Sequence, residues 1–357
     1  MQRPVLVVAF AATFLVACPA PQQDCLPFCD LQPAATASSE FSLPLDATLS
    51  PDGRIAYFIG VTADGPGVLT TNIGDTTVSK MVAGAPLASP MGLDVTTNGS
   101  KLYIADAAAD PADEGKLGRL FTLDAAGGVM LTEVSSTAGY KPRGVTIITQ
   151  GVDQVYFAGN DPTDGMPGVF KIADGASTVV DVAKGEPFID PSGIAVARNG
   201  DVYVADTSDS AVTAQVLKIS GGTVTPLVTG LRVGYPAGLA LSYDEKILII
   251  SALDKDTSKD VVFKYTLADG TMDPFTTGIG EFEQSAGLHR AKRADAYVWA
   301  DSNANGGGTV YVINPGAQVQ GGGCSAGPGA PVVWGSLMIA AGMFLRRLQR
   351  RARVTGA

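Results

Sequence analysis

The sequence predicts an all-β protein, a six-bladed β-propeller with four-stranded blades, on three observations. A hairpin motif recurs at intervals of 45 to 52 residues, the copies keep their internal spacing, and two more strand-like runs follow each copy. Four strands per period of this length are typical of propeller blades. Six periods therefore predict six blades.

The clearest copy of the motif is PSGIAVARNGDVYVAD, residues 191–206. Two short runs rich in β-branched and aromatic residues flank Asn199 and Gly200, a pair that tolerates the positive φ of a tight hairpin turn. The stretch is therefore predicted to form an inner strand, a turn and a second strand. Because a lone hairpin cannot bury its apolar faces, the copies must pack against one another.

The copies align on the glycine of a Pro-x-Gly element and on a large residue, usually tyrosine, in the second strand. The first positions are Asp46, Gly92, Gly144, Gly193, Gly238 and Gly287, and the second are Tyr57, Tyr103, Tyr156, Tyr203, Leu248 and Tyr297. The last copy has only three strand-like runs before Pro315 and Gly316. Since an incomplete blade would leave an open sheet edge, we predict that residues 40–43 supply its outer strand and close the ring.

Composition agrees with one large β domain, predicted over residues 40–316. The 357 residues include 43 Gly and 22 Pro, which suit many turns better than long helices. The formal net charge of −10 argues against nucleic acid as a partner. The 4 Cys lie outside the repeats and are too few for a disulfide scaffold. The propeller is expected to be monomeric.

The N-terminus is predicted to be a targeting segment. Residues 1–18 combine a basic residue, an apolar run and small residues, a pattern typical of an export signal. They end in LVAC, which resembles a bacterial lipobox and implies lipidation of Cys18; an ordinary signal peptide with an incidental cysteine is the alternative. Residues 19–39 are rich in Pro, Gln, Ala and Ser and are expected to form a flexible tether, in which Cys25 and Cys29 could form a small-loop disulfide.

The C-terminus is predicted to be a second anchoring or sorting element. Residues 317–329 form a Gly-rich linker, and residues 330–353 combine a short apolar helix with an arginine cluster. This order resembles the C-terminal sorting signals of the myxobacterial type, which implies that Cys324 marks a processing point. The alternative is a permanent transmembrane helix, lengthened by snorkelling arginines. Both ends of the chain predict a propeller outside the cytoplasm, anchored to the outer membrane or cell surface.

The repeats carry a Pro-x-Gly-hydrophobic element in the inner strand, and three second strands read YIAD, YVAD and YVWAD, ending at Asp106, Asp206 and Asp301. In these elements the chain resembles the six-bladed family of NHL-repeat proteins and gluconolactonase- or regucalcin-like lactonases, among the TolB-like propellers. The resemblance implies a divalent cation in the central channel, held by one Glu, two Asn and one Asp, that activates water. The first blade reads PLDATLSPDG and lacks the Glu-Gly-Pro element of the first ligand.

Acidic and amide side chains cluster after the second strands. Loops at equivalent places of a ring lie on one face, so their oxygens could converge on Ca²⁺, another divalent cation or a polar ligand. The alternative is that they end strands and satisfy turn backbones locally. The candidate metal ligands are Asp106, Asn160, Asp206 and Asp301, and the candidate ligand-face residues are Asp110, Asp164, Asp209, Asp254 and Asn303.

The sequence shows no nucleophile site. It has no Gly-x-Ser-x-Gly element and a single histidine, His289, which is expected to pack in the innermost strand of blade six or to line the channel. Trp299 is expected to pack between blades. The sequence therefore favours a binding or scaffold protein for an extracytoplasmic protein or glycan, with no certain cofactor. The alternative is a metal-dependent lactonase or related hydrolase acting in the channel.

Overall fold

The computed structural model describes residues 31–75, 77–206, 214–253, 260–274 and 285–314. Within these ranges nearly all regular structure is β-strand, arranged as blades of four antiparallel strands. The predicted six-bladed β-propeller is confirmed. Its strands are numbered along the chain, beginning with β1 (Leu31–Thr36).

The first three blades follow the chain from the inner strand outwards. Blade one contains β2 (Ser42–Leu49), β3 (Ile55–Thr62), β4 (Gly65–Asn72) and β5 (Ser79–Ala83). Blade two contains β6 (Pro90–Val95), β7 (Lys101–Asp106), β8 (Arg119–Asp124) and β9 (Thr132–Val134). Blade three contains β10 (Val145–Gln150), β11 (Val152–Asn160), β12 (Pro167–Ala173) and β13 (Val180–Lys184).

Blades four and five share one long strand. Blade four contains β14 (Pro191–Val196), β15 (Val202–Asp206), β16 (Ala214–Ser220) and the first half of β17 (Thr223–Leu241). Blade five contains the second half of β17, β18 (Ile247–Leu253), β19 (Asp260–Thr266) and β20 (Met272–Pro274). Blade six contains β21 (Ser285–Arg290), β22 (Tyr297–Asp301), β23 (Thr309–Ile313) and β1.

An N-terminal strand closes blade six, as predicted, but the segment proposed for it was wrong. β1 pairs with β23, from Leu31 opposite Ile313 to Thr36 opposite Thr309. The closing strand is therefore 31–36, inside the stretch expected to be a tether, whereas residues 42 and 43 begin β2. The sequence LQPAAT has a proline and a single β-branched residue, a composition closer to a linker than to a strand.

The inner strands contact one another in a closed ring around the central channel. They begin at the end that carries the loops after the second strands, the loop face, and finish at the end that carries the tight hairpin turns, the turn face. Near the loop face a β-carbon at Gly92 would lie 2.5 Å from the carbonyl oxygen of Arg143, and one at Gly238 2.6 Å from that of Ala286. The repeated glycine thus marks close backbone approach between neighbouring blades.

Apolar layers between neighbouring blades form the core. Trp299 is fully buried in the layer between blades five and six, together with Ile249 and Val262, and its ring centroid lies 5.2 Å from that of Tyr311. The predicted inter-blade packing of Trp299 is confirmed. Such layers hold the inner strands, and hence the channel, in a fixed arrangement.

The targeting segments fall outside the ranges given above. These include the export signal, the lipidation site Cys18, the pair Cys25 and Cys29, the processing site Cys324 and the C-terminal tail. In the part of the chain that is described, no helix has the length and apolar character needed to cross a membrane.

Candidate functional site in the central channel

The aspartates predicted as metal ligands are engaged by backbone N–H groups of their own blades. Asp106 is buried and accepts four such hydrogen bonds, at 2.8 to 3.0 Å. Asp206 accepts the N–H of Asp190 at 2.7 Å, and Asp301 accepts the N–H of Ala304 at 2.9 Å. Each carboxylate therefore ends a strand and fixes a loop, the local role of Asp at turns.

Acids predicted for the ligand face are paired with basic side chains. Asp110 lies 2.9 Å from the guanidinium of buried Arg119, and Asp164 lies 3.0 Å from the ammonium of Lys184. Lys184 also pairs with Asp161, and a hydrogen bond from Lys184 is the main cause that lowers the pKa of Asp161 to about 2. Ion pairs thus tie these loops to basic side chains of the same blade.

The remaining candidates are not brought into a shared site either. Asn160 donates its amide to the carbonyl of Gly165 at 3.1 Å, and the N–H of Asn303 donates at 3.2 Å to the aspartate that ends β22. Asp209 and Asp254 lie outside the described residues. Among the residues that are described, no three His, Cys, Asp or Glu side chains form a group able to hold a metal ion.

Four charged side chains instead meet inside the channel, and we call them the channel network: Asp46, Asp94, His289 and Lys292. His289 Nε2 lies 3.1 Å from the carboxylate of Asp46, which joins blades six and one. The ammonium of Lys292 donates to Asp94 at 2.5 Å, which joins blades six and two. None of the four side chains is more than 12% exposed. The predicted position of His289, in the innermost strand beside the channel, is confirmed.

The positions of both carboxylates follow from the geometry of the inner strands. Asp46 replaces the repeated glycine and fills the space beside Gly287, where a β-carbon would collide with it. Asp46 accepts the N–H of Leu93 at 2.8 Å, and Asp94 accepts the N–H of Ile147 at 2.7 Å. Inner strands present edge N–H groups to the channel, so a carboxylate from one blade satisfies an edge donor of the next.

The channel network favours the ionised forms of Asp94 and His289. Burial raises the pKa of Asp94, but the charges of Lys292 and His289 and the hydrogen bonds outweigh it, so this pKa lies below its ordinary value. Burial lowers the pKa of His289, but the carboxylate of Asp46 outweighs it, so this pKa lies above its ordinary value. The opposite charges in the channel network thus favour the carboxylate of Asp94 and the imidazolium of His289.

The stability of the protein is expected to depend on pH through His289, the only histidine in the chain. Because its folded pKa is raised, its contribution is complete below the unfolded value of 6.5 and is lost as the pH rises through the folded value. Each pKa unit by which the folded value exceeds the unfolded one adds about 1.4 kcal/mol to the free energy of unfolding. Urea unfolding of the wild type and of His289→Gln between pH 5 and 9 measures this dependence of stability on pH.

The wild type should lose stability towards alkaline pH more steeply than His289→Gln, and equal slopes would contradict the assignment. On the acid side, the lowered pKa of Asp94 predicts a contribution that is present above the unfolded value of 3.8 and lost as the pH falls through the folded one. The free energy of unfolding should therefore be highest between the pH at which Asp94 becomes protonated and the pH at which His289 loses its proton.

Between the channel network and the turn face the channel widens into a cavity of about 220 Å³. His289 and Lys292 line it, and Ile147, Val196 and Leu241 supply apolar wall. We call it the turn-face cavity. It is a partly open and partly apolar space with convergent polar groups, the usual form of a small-molecule site.

Only one of the four network residues, His289, was predicted from the sequence. The available signal was a charged residue at repeat positions where most other blades have small or uncharged residues. Asp46 replaces a glycine, and Asp94 lies two residues after one. The residues equivalent to Asp94 in the other blades are Thr48, Thr146, Ala195, Ala240 and His289.

The architecture and the channel define the class of protein, a six-bladed β-propeller. The NHL repeat family matches residues 188–214, which include the whole hairpin that shows the motif most clearly. No curated protein matches the sequence.

Several solved structures are similar over most of the propeller. A gluconolactonase from Xanthomonas campestris has 16% identity and a TM-score of 0.54, covering 79% of this chain and 88% of its own. TolB from Acinetobacter baumannii has 11% identity and a TM-score of 0.52, covering 67% and 56%. A chain of a nidogen/laminin complex has 14% identity and a TM-score of 0.51, covering 66% and 81%. At such identities the similarity shows the fold alone.

Proposed function

We propose that this protein is an exported propeller, anchored to the cell envelope, that binds an extracytoplasmic protein or glycan. The channel network is the observation that favours binding over metal-dependent hydrolysis. A hard divalent cation such as Ca²⁺ takes six to eight oxygen ligands. The two carboxylates of the network already have cationic partners, His289 for Asp46 and Lys292 for Asp94.

The other inner-strand positions do not complete a ligand set. At the position of Asp94, Thr48 and Thr146 offer hydroxyls, and Ala195 and Ala240 offer only methyl groups. The Thr48 hydroxyl donates to Asp94 at 2.9 Å. A divalent cation beside these groups would also face the ammonium of Lys292. The described channel residues therefore do not fit a resident divalent cation.

The loop face offers a preformed surface for binding. The described loops of blades two and three are held by strand-end aspartates and by ion pairs such as that of Asp110 with Arg119, so these loops lose little conformational freedom when a partner binds. Large apolar side chains are about half exposed on this face, at Leu117, Met166 and Ile189. Apolar side chains among polar loops suit a protein surface or the apolar face of a sugar ring.

The proposed location is supported by the sequence features at both ends of the chain. Mass spectrometry of the mature protein should find an acyl group on Cys18 or a new C-terminus near Cys324; a chain with neither change would contradict both lipidation and C-terminal sorting. Nucleic acid is not a proposed partner because the net charge is −10. One chain closes the ring, which supports a monomeric propeller.

Removal and addition of metal ions are expected to leave the purified protein unchanged. After chelation, Ca²⁺, Mn²⁺ and Zn²⁺ should each shift the midpoint of thermal unfolding by less than about 1 °C, because no resident site gains binding energy. Hydrolysis of aldonolactones should stay at the uncatalysed rate with and without these ions. Saturable stabilisation together with hydrolysis that chelation abolishes would favour the lactonase.

A further inference from the structure

The turn-face cavity lies at the opposite end of the ring from the surface just proposed for partner binding. Thr149 and Arg198 line it and are exposed, so it opens to solvent at the hairpin turns. The channel network lies at its inner end. A ligand would therefore enter between the turns and stop at His289 and Lys292.

One basic side chain at this cavity has no direct ion-pair partner in the described part of the chain. His289 and Lys292 are balanced by the channel network, and Arg198 lies 3.6 Å from Glu245. Arg290 also lines the cavity, and in the described part of the chain no carboxylate lies within ion-pair distance of it. The carboxylates of Asp295 and Glu245 favour the charged form of Arg290 from beyond that distance. A charged guanidinium without a direct ion pair at a partly enclosed site favours the binding of an anion.

The environment of Arg290 holds its guanidinium in place. Its Nε donates to the carbonyl of Leu241 at 2.8 Å and its Nη1 to the carbonyl of Ala291 at 2.7 Å. The guanidinium also lies 5.2 Å from the ring centroid of Tyr243. These partners are neutral, and burial is the main cause that lowers the pKa of Arg290. The side chain is thus positioned before any ligand arrives.

The size and walls of the cavity limit the ligand further. About 220 Å³ lies below the range of roughly 300–1,000 Å³ of drug-sized sites, so the ligand has few heavy atoms. Val196, Leu239 and Leu241 supply apolar wall. A single guanidinium without a direct ion pair matches one carboxylate better than a phosphate, which carries about −1.5 to −2 at neutral pH.

We propose that the turn-face cavity binds a small organic monocarboxylate. Its planar carboxylate pairs with the guanidinium of Arg290, and its apolar body lies against Val196 and Leu241. A guanidinium presents donors in a fork that matches a carboxylate, which selects this group over a neutral amide of the same shape. The site lies at the other end of the ring from the loop face. A negative test of carboxylate binding would therefore not contradict the proposed partner binding.

Titration calorimetry of the full mature chain with hexanoate and hexanamide tests the proposal. Hexanoate should bind saturably with one site per chain, and hexanamide should bind at least about tenfold more weakly, since a charge-assisted hydrogen bond is lost. Inorganic phosphate should not displace hexanoate. Equal binding of the acid and the amide, or tighter binding of phosphate, would overturn the proposed ligand class.

Two variants test whether hexanoate binds in the turn-face cavity. Arg290→Gln should weaken hexanoate at least about tenfold, whereas Arg54→Gln, which removes the same charge from an exposed side chain on the same face, should not. Since Arg290 also supports backbone carbonyls, Thr149→Trp provides a second variant: a bulky ring at this exposed rim position should block entry without touching the charge. Hexanoate binding that survives both Arg290→Gln and Thr149→Trp would disprove the site.

Discussion

Substitution of Asp94 by alanine is expected to lower the free energy of unfolding by about 3–5 kcal/mol, the cost of breaking a buried ion pair on one side. Asp94 is completely buried and accepts hydrogen bonds from Lys292, from the N–H of Ile147 and from the hydroxyl of Thr48. Alanine would leave the ammonium of Lys292 enclosed without a carboxylate. Urea unfolding measures the loss, which would be a large fraction of the stability of a typical protein.

A matched aspartate on the surface provides the control. Asp52 pairs with Arg54 at 3.6 Å, and both side chains are more than half exposed, so Asp52→Ala should cost no more than about 1 kcal/mol. The double variant Asp94→Ala/Lys292→Met removes both buried charges and should recover part of the loss. If Asp94→Ala and Asp52→Ala destabilise the protein equally, the channel network does not tie the blades together.

The sequence was sufficient for the repeat architecture because the same local requirements recur in every blade. Hairpin turns need residues such as Asn199 and Gly200 that accept positive φ, and inner strands need glycine where neighbouring backbones meet. Both requirements are local or repeated, so they leave a periodic signal. The closing strand is paired once only, between segments far apart in the chain, and its register leaves no repeat to detect.

The candidate site was predicted less well because its contacts are neither local nor repeated. Strand-end aspartates such as Asp106 and Asp206 recur in the sequence because each blade needs its loops fixed, so recurrence indicated structure more than a shared metal. The channel network depends on contacts between residues 243 and 198 positions apart, Asp46 with His289 and Asp94 with Lys292. Pairing over such distances is set by ring closure and has no local pattern.

Removal of the closing strand is expected to destabilise the propeller by at least about 3 kcal/mol, the upper end of the roughly 1.5–3 kcal/mol that burial of one Leu side chain contributes. A chain that starts at residue 37 lacks β1, whereas a chain that starts at residue 30 retains it. β1 buries Leu31, Ala34 and Ala35, and its backbone pairs with β23. Thermal and urea unfolding of the two chains measures the loss.

The shorter chain should also associate, because β23 would become an exposed edge strand with unpaired N–H and C=O groups. In the intact ring the outermost strand is β1, where Pro33 and a register shift before Ala35 discourage further pairing. A synthetic peptide of residues 30–37 should restore both the monomeric state and the stability of the shorter chain. A peptide with Leu31→Asp and Ala35→Asp should not, since it would place charges against the apolar core. Association that neither peptide reverses would mean that the loss of β1 damages more than one sheet edge.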